Sequence, residues 1–254
     1  MHLVYLGQSA RTGVGAGNEP FEVVAGLMLH ETQITSVNGE FDALCRRHFG
    51  SPLGEDSAPQ MLRPLDIFEG LEHYASWTAE KRSQMIQDCL DILIRRESPV
   101  LSAFLNNQTF TDARTSASSP AALLWSEPID PVMSRFLFAL SMYLDEMNMA
   151  TLNHDQIMSG AFPVTQFAMV LTQEGGNVRQ RMMTDFLHSE EGVDATGIHE
   201  NICLIDAQDS PAMQLANLCA FFTLRWLQTP ENPNPFFETL RDNKVIQVLY
   251  PVAL

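Results

Sequence analysis

Positive charge is scarce in this chain. Its 15 lysines and arginines stand against 31 aspartates and glutamates, a formal net charge of −16. That balance works against nucleic acid as a general partner, because binding to phosphates draws on lysine and arginine. The pairs Arg46–Arg47, Lys81–Arg82 and Arg95–Arg96 read as solvated helix faces. Cysteine is nearly as sparse. Positions 45, 89, 203 and 219 contain no CxxC, so neither a zinc site nor a disulfide framework is signalled. No uninterrupted apolar run approaches the length that spans a bilayer. The opening MHLVYLG has no basic region before an apolar stretch and does not read as a signal peptide. A reduced, cytoplasmic protein with no membrane association is the expectation. No repeat divides the chain, and the seven histidines show no HExxH spacing. Gly13, Gly15 and Gly17 follow a strand but open no helix, so a nucleotide-cradling loop is not expected.

What is present is enough apolar matter for a core. Hydrophobic residues make up 45% and charged residues 18%, a balance typical of a globular protein. The chain reads as one domain over 1–254, with a C-terminal extension from about 230. Short apolar runs predict strands at His2–Leu6, Phe21–Leu29, Pro99–Leu105, Gln166–Thr172 and Asn201–Asp206. Helical spacing predicts helices over Gln33–Phe49, Thr78–Arg96, Val132–Asn148 and Asn177–His188. The polar stretch Asn106–Pro120 reads as a loop. After the Pro/Asn-rich segment near 230 come a helix and a last apolar run, Val245–Val252. The expected fold is α/β: a mixed five-stranded sheet, three antiparallel strands and then two more, with helices on both faces. The first strand, apolar on both sides, is expected at its centre. Leu90, Leu93, Leu218, Phe222 and Trp226 are expected in one core with Val4 and Leu6.

The stretch Ser210–Gln228 organises the rest. Ser210 and Pro211 stand where an N-cap and a first helical residue belong. Met213, Leu218, Phe221, Phe222 and Trp226 then make the helix apolar on most sides. Inside that surface lie Gln214 and Asn217, three apart and so neighbours on one face. Two readings stay open for them: hydrogen bonds to loop backbone, or membership of a site.

Several segments, in order, resemble the domain-of-unknown-function family numbered 3800, whose fold is ribonuclease H-like. Tyr5-Leu6-Gly7-Gln8-Ser9 stands where members carry Asp-Glu-Ser-Gly at the end of a first strand. Phe21–Leu29 with His30-Glu31 is similar to the second strand, and Met61 to Gly70 to the segment Glu-Leu-His-x-x-Asp-Leu-Phe-x-Gly. Trp77–Arg82 resembles the next helix start. Asp209-Ser210 with Met213-Gln214-Leu215-Ala216-Asn217 resembles the final Asp-Ser and Leu-Gln-Leu-Ala-Asp. The likeness runs across residues 1–228.

The resemblance implies a metal-dependent phosphoesterase frame whose acids have gone. Where the family places its acidic set, this chain has Gly7, Gln8, Met61 and Asn217, with Arg63 in place of a histidine. A two-metal site needs several carboxylates holding cations about 3.5–4 Å apart. Magnesium prefers hard anionic oxygens, which amides and a glycine do not supply. Each lost charge removes attraction on the order of 4 kcal/mol at a moderate effective dielectric. The expectation is therefore a catalytically silent relative, a pseudoenzyme, with no cofactor or metal and a degenerate pocket of Gly7, Gln8, Met61, Arg63, Gln214 and Asn217. It would act as a binding or structural protein with a protein partner, and a homo-oligomer is left open. Gln8 and Asn217 are expected to bond one another or a bridging water. Acids restored at 7, 8 and 217 are expected to crowd charge that Mn²⁺ relieves. The alternative is a metal-dependent nuclease or phosphoesterase using Mg²⁺ or Mn²⁺ on relocated acids drawn from Glu31, Glu174, Asp206 and Asp209.

Overall fold

The computed structural model of the chain describes residues 1–9, 20–55, 58–115, 127–152, 166–172, 197–199, 202–232 and 234–252. The expected helix over 177–188 and the candidate acid Glu174 lie outside them.

The three strands expected first form an antiparallel set: β1 (His2–Gln8), β2 (Phe21–His30) and β3 (Val100–Asn106). β4 (Ala168–Thr172) runs parallel to β1, and the two-residue β5 (Cys203–Leu204) runs parallel to β4. Among the described residues the sheet has six strands rather than five. The apolar run near the C-terminus is β6 (Ile246–Pro251), paired in parallel with β3. The strand order is β5-β4-β1-β2-β3-β6. β1 is thus interior, as its apolar faces require. A parallel partner must return by a crossover, and α7 (Pro235–Asp242) lies in that return, burying Phe237 and Leu240. The residues after about 230 are built into the sheet and core.

Helices cover both faces. On one side lie α1 (Ile34–Phe49), α3 (Ala79–Arg95), α6 (Pro211–Gln228) and α7, whose apolar stripes share one cluster with Tyr5, Ala25 and Leu27. On the other side α5 (Ile129–Ala150) packs Val132, Phe136 and Leu140 against Val4, Leu6, Val24 and Met28. The sequence expectation of one core is corrected here. Leu90, Leu93, Leu218 and Phe222 are buried together, with Trp226 partly buried against them, but Val4 and Leu6 belong to the opposite cluster. The reason is the pleat: successive strand side chains point to opposite faces, so Tyr5 meets α6 while Val4 and Leu6 meet α5.

Two helices depart from expectation. α2 (Pro64–Glu69) occupies a segment to which the sequence reading gives no element, although Pro64 at its start and left-handed Gly70 at its end mark it. α4 (Asn107–Thr115) replaces an expected loop. The Asn106 side chain accepts from the N–H groups of Gln108 and Thr109 at 2.9 and 3.2 Å, capping the helix. Phe110, its one buried residue, anchors it, so no apolar periodicity announced it. Among the described residues no helix is long and apolar enough to cross a membrane.

The thiols follow the layers. Cys45, Cys89 and Cys219 are buried among α1, α3 and α6, while Cys203 is half-buried on β5. Burial pushes the Cys45 and Cys219 thiols up to about 12 and raises Cys89 as well. Thiolate is the reactive form, so the native chain should titrate one cysteine with a disulfide reagent, Cys203, and all four after denaturation. Rapid labelling of Cys45 or Cys89 in the native state would contradict the packing of α1 on α3.

Candidate functional site

The carboxyl end of β1, the amino end of α6 and the strap of residues 59–63 come together at one end of the central strands. α6 begins there as its sequence dictates. Ser210 caps it, its side chain accepting from the Met213 N–H at 3.2 Å, and Pro211 sits in the first turn. The apolar helix then lies across β1 and β2.

At Gly7 α6 comes very close to β1. A Cβ on this residue would stand 2.2 Å from the Ala216 carbonyl oxygen and 2.5 Å from the Asn217 nitrogen. Strand and helix therefore touch backbone to backbone, and only glycine fits. One residue on, the Gln8 N–H donates to Asn217 Oδ1 at 3.2 Å. The expected bond between the Gln8 and Asn217 side chains is not formed. Alternation along β1 sends the Gln8 side chain toward the α5 face, away from Asn217. Among the described residues its buried Oε1 has no hydrogen-bond partner, and neither has Ser9 Oγ.

Gln214, also buried, spans two loops. Its Oε1 accepts from the Leu62 N–H at 2.8 Å, and its Nε2 donates to the Ala207 carbonyl at 2.9 Å. Gln214 thus bonds loop backbone, as one of its two readings expects, whereas Asn217 bonds the end of strand β1. Each buried amide satisfies main-chain groups that would otherwise be stranded.

Met61 and Arg63 flank Leu62 on the strap and line an open cleft of about 340 Å³. Asp66, Glu72, His73 and Tyr74 complete one wall, and Gln208, in the turn before α6, stands on the other. Partial burial raises the Asp66 carboxyl above its ordinary range. Glu72 adds to the rise, and the charges of Arg63 and His73 oppose it. Gly70 and Glu72 in the turn after α2 both have left-handed φ, +75° and +50°. Glycine adopts this readily, whereas a glutamate does so under strain. The cleft was not foreseen from sequence as a unit. The readable signals were Pro64, Gly70 and the mixture of charges through Arg63, Asp66, Glu72 and His73.

The candidate acids do not converge. Glu31 follows β2 at the opposite end of these strands, because His30 pairs with His2 while Gln8 pairs with Val24. There it lies 3.6 Å from the amino terminus. Asp206 and Asp209 lie at the near end, in the turn before α6, and both are exposed. Asp206 Oδ1 is engaged by the Gln208 N–H at 2.9 Å. Among the described residues no three His, Cys, Asp or Glu side chains group so as to hold a metal ion. At the centre of the candidate site the donors are two amides, a thioether and main chain, chemistry suited to hydrogen bonding rather than to a hard divalent cation.

No family model, curated protein or solved structure matches the chain. The resemblance drawn from sequence rests on its residues alone.

Proposed function

We propose that this chain is a non-catalytic binding protein on a ribonuclease H-like frame, a divergent relative of the 3800 family whose metal pocket has become a structural joint. The observation that carries the reading is Gly7. Where the resemblance calls for a metal-binding aspartate, α6 presses its backbone against β1 and leaves no space for a Cβ. Support for the frame comes from the mixed sheet, in which the antiparallel set β1, β2 and β3 is continued by parallel β4 and β5 and extended beyond β3 by β6. Gln214 and Asn217 hold main chain in place of a cation, and neutral amides do so without the repulsion that adjacent carboxylates create. The net charge of −16 favours a partner other than nucleic acid, a protein surface or a small ligand.

Millimolar Mn²⁺ or Mg²⁺ should leave the melting temperature unchanged, since a ligand shifts stability only by binding the folded state. Incubation with single- and double-stranded DNA and RNA in the same buffers should give no cleavage. Metal-dependent cleavage that disappears with Asp206→Asn or Asp209→Asn would return the chain to the enzymes.

A further inference from the structure

We propose that the cleft between the 59–63 strap and the turn before α6 binds a small zwitterion, a free amino acid or dipeptide. This deepens the binding reading above and rests on it. About 340 Å³ is near the lower end of the range of small-molecule sites, roughly 300–1,000 Å³. That suits a ligand of this size better than a nucleotide.

The lining supplies both charges a zwitterion needs. Arg63 and His73 carry or can carry positive charge, and Asp66 and Glu72 negative. They are near enough to influence the Asp66 carboxyl, yet among the described residues none of the four is held in an ion pair. Charges of both signs left apart around one cleft are the arrangement that a ligand with an ammonium and a carboxylate can bridge. The Arg63 guanidinium can take a carboxylate through two parallel hydrogen bonds. An ammonium has three donors to share between Asp66 and Glu72. Met61, half-buried at the rim, offers apolar surface to a ligand side chain. A phosphorylated or multiply anionic ligand would meet the field of a chain with a net charge of −16.

Two further features point to the same place. Glu72 is held at φ +50°, a conformation that recurs at ligand clamps when surrounding structure enforces it. The walls are fixed in advance by Gln214. It bonds Leu62, between Met61 and Arg63, and Ala207, next to Gln208. A cleft already formed binds without the cost of ordering its walls.

Calorimetric titration of the full chain with L-leucine and glycyl-L-leucine tests this. Each is compared with its N-acetylated and C-amidated forms. At least one free zwitterion should bind saturably, and capping either end should weaken it by about tenfold or more. Arg63→Ala should bring the free and amidated forms to equal affinity, and Asp66→Asn should do so for the free and acetylated forms. Both residues are outside the buried core, and unchanged melting temperatures would show that the variants fold. Should either variant misfold, the capped series on the unaltered chain still decides. No binding of either zwitterion up to about 10 mM, indifference to the caps, or discrimination that persists in folded variants would overturn the proposal. Nuclease activity with Mn²⁺ would instead remove the non-catalytic reading, so the two failures are distinguishable.

Discussion

Gly7→Ala is expected to destabilise the chain by about 3 kcal/mol or more, at or above the upper end of overpacking costs. For a protein of this size that is a fall in melting temperature of about 6–12 °C. The added methyl would meet the Ala216 carbonyl at 2.2 Å. The obstacle is main chain, so no rotamer change relieves it, and α6 must lift from β1. Lifting α6 also lengthens the bond from the Gln8 N–H to Asn217 Oδ1. Gly7→Asp should be worse, for a reason other than the crowding of charge expected from sequence. The cost of an acid at this position is steric first and electrostatic second, so Mn²⁺ should not restore the lost stability. Gly39→Ala is the control. Gly39 lies in α1 with nothing within 4 Å of its would-be Cβ. That substitution should stabilise by about 0.4–1 kcal/mol, through lower unfolded-state entropy and better helix propensity. Thermal melts of the two variants should move in opposite directions. If Gly7→Ala melts with the unaltered protein, strand and helix are not in the contact described, and the argument against a metal pocket loses its ground.

Phe222→Ala should cost about 3–5 kcal/mol, as removal of a wholly buried aromatic ring does. Phe222 has no exposed surface. Its ring lies 5.2 Å from that of Phe221, 5.1 Å from Phe236 and 6.1 Å from Phe68, so it joins α6 to α2 and to the start of α7. A cavity at the meeting of three helices collapses poorly, which places the expected loss toward the upper end. In urea the midpoint should fall while the slope is unchanged, since the surface exposed on unfolding is nearly the same. Met149→Ala, on the outer face of α5 and 52% exposed, should stay within about 0.5 kcal/mol. Equal responses of the two would sink the assignment of α6 to the core.

The sequence made α6 and the central place of β1 legible because both write their surroundings into composition. Ser210 and Pro211 open the helix, apolar residues surround it, and β1 is apolar on both sides. Other features were not readable. α4 has one buried residue, Phe110, so periodicity had nothing to detect, and its cap is supplied by Asn106 at the end of a strand. β6 reads as an apolar run, but only its partner β3, distant in sequence, makes it a strand. Val4 and Leu6 were placed with the wrong helices because burial is visible in composition, whereas the face a strand residue takes depends on register. At the candidate site, the spacing of Gln214 and Asn217 marked them as neighbours. That their partners are the main chains of Leu62, Ala207 and Gln8 is a tertiary fact, and the closeness of Gly7 to Ala216 is another.

The parallel pairing of β3 with β6 sets an order on biosynthesis. β3 is complete at residue 106, but its outer partner is not made until residues 246–251. Throughout that interval the nascent chain carries an open strand edge of seven residues, VLSAFLN, which is mostly apolar and uncharged. Such edges are templates for pairing with other chains. A ribosome that stalls between these points would release a species whose central strands are paired but whose β3 margin is bare. Stop codons placed just before residue 246 should therefore yield inclusion bodies, and a separately supplied peptide carrying the missing strand, residues 246–252, should keep the truncated chain in solution.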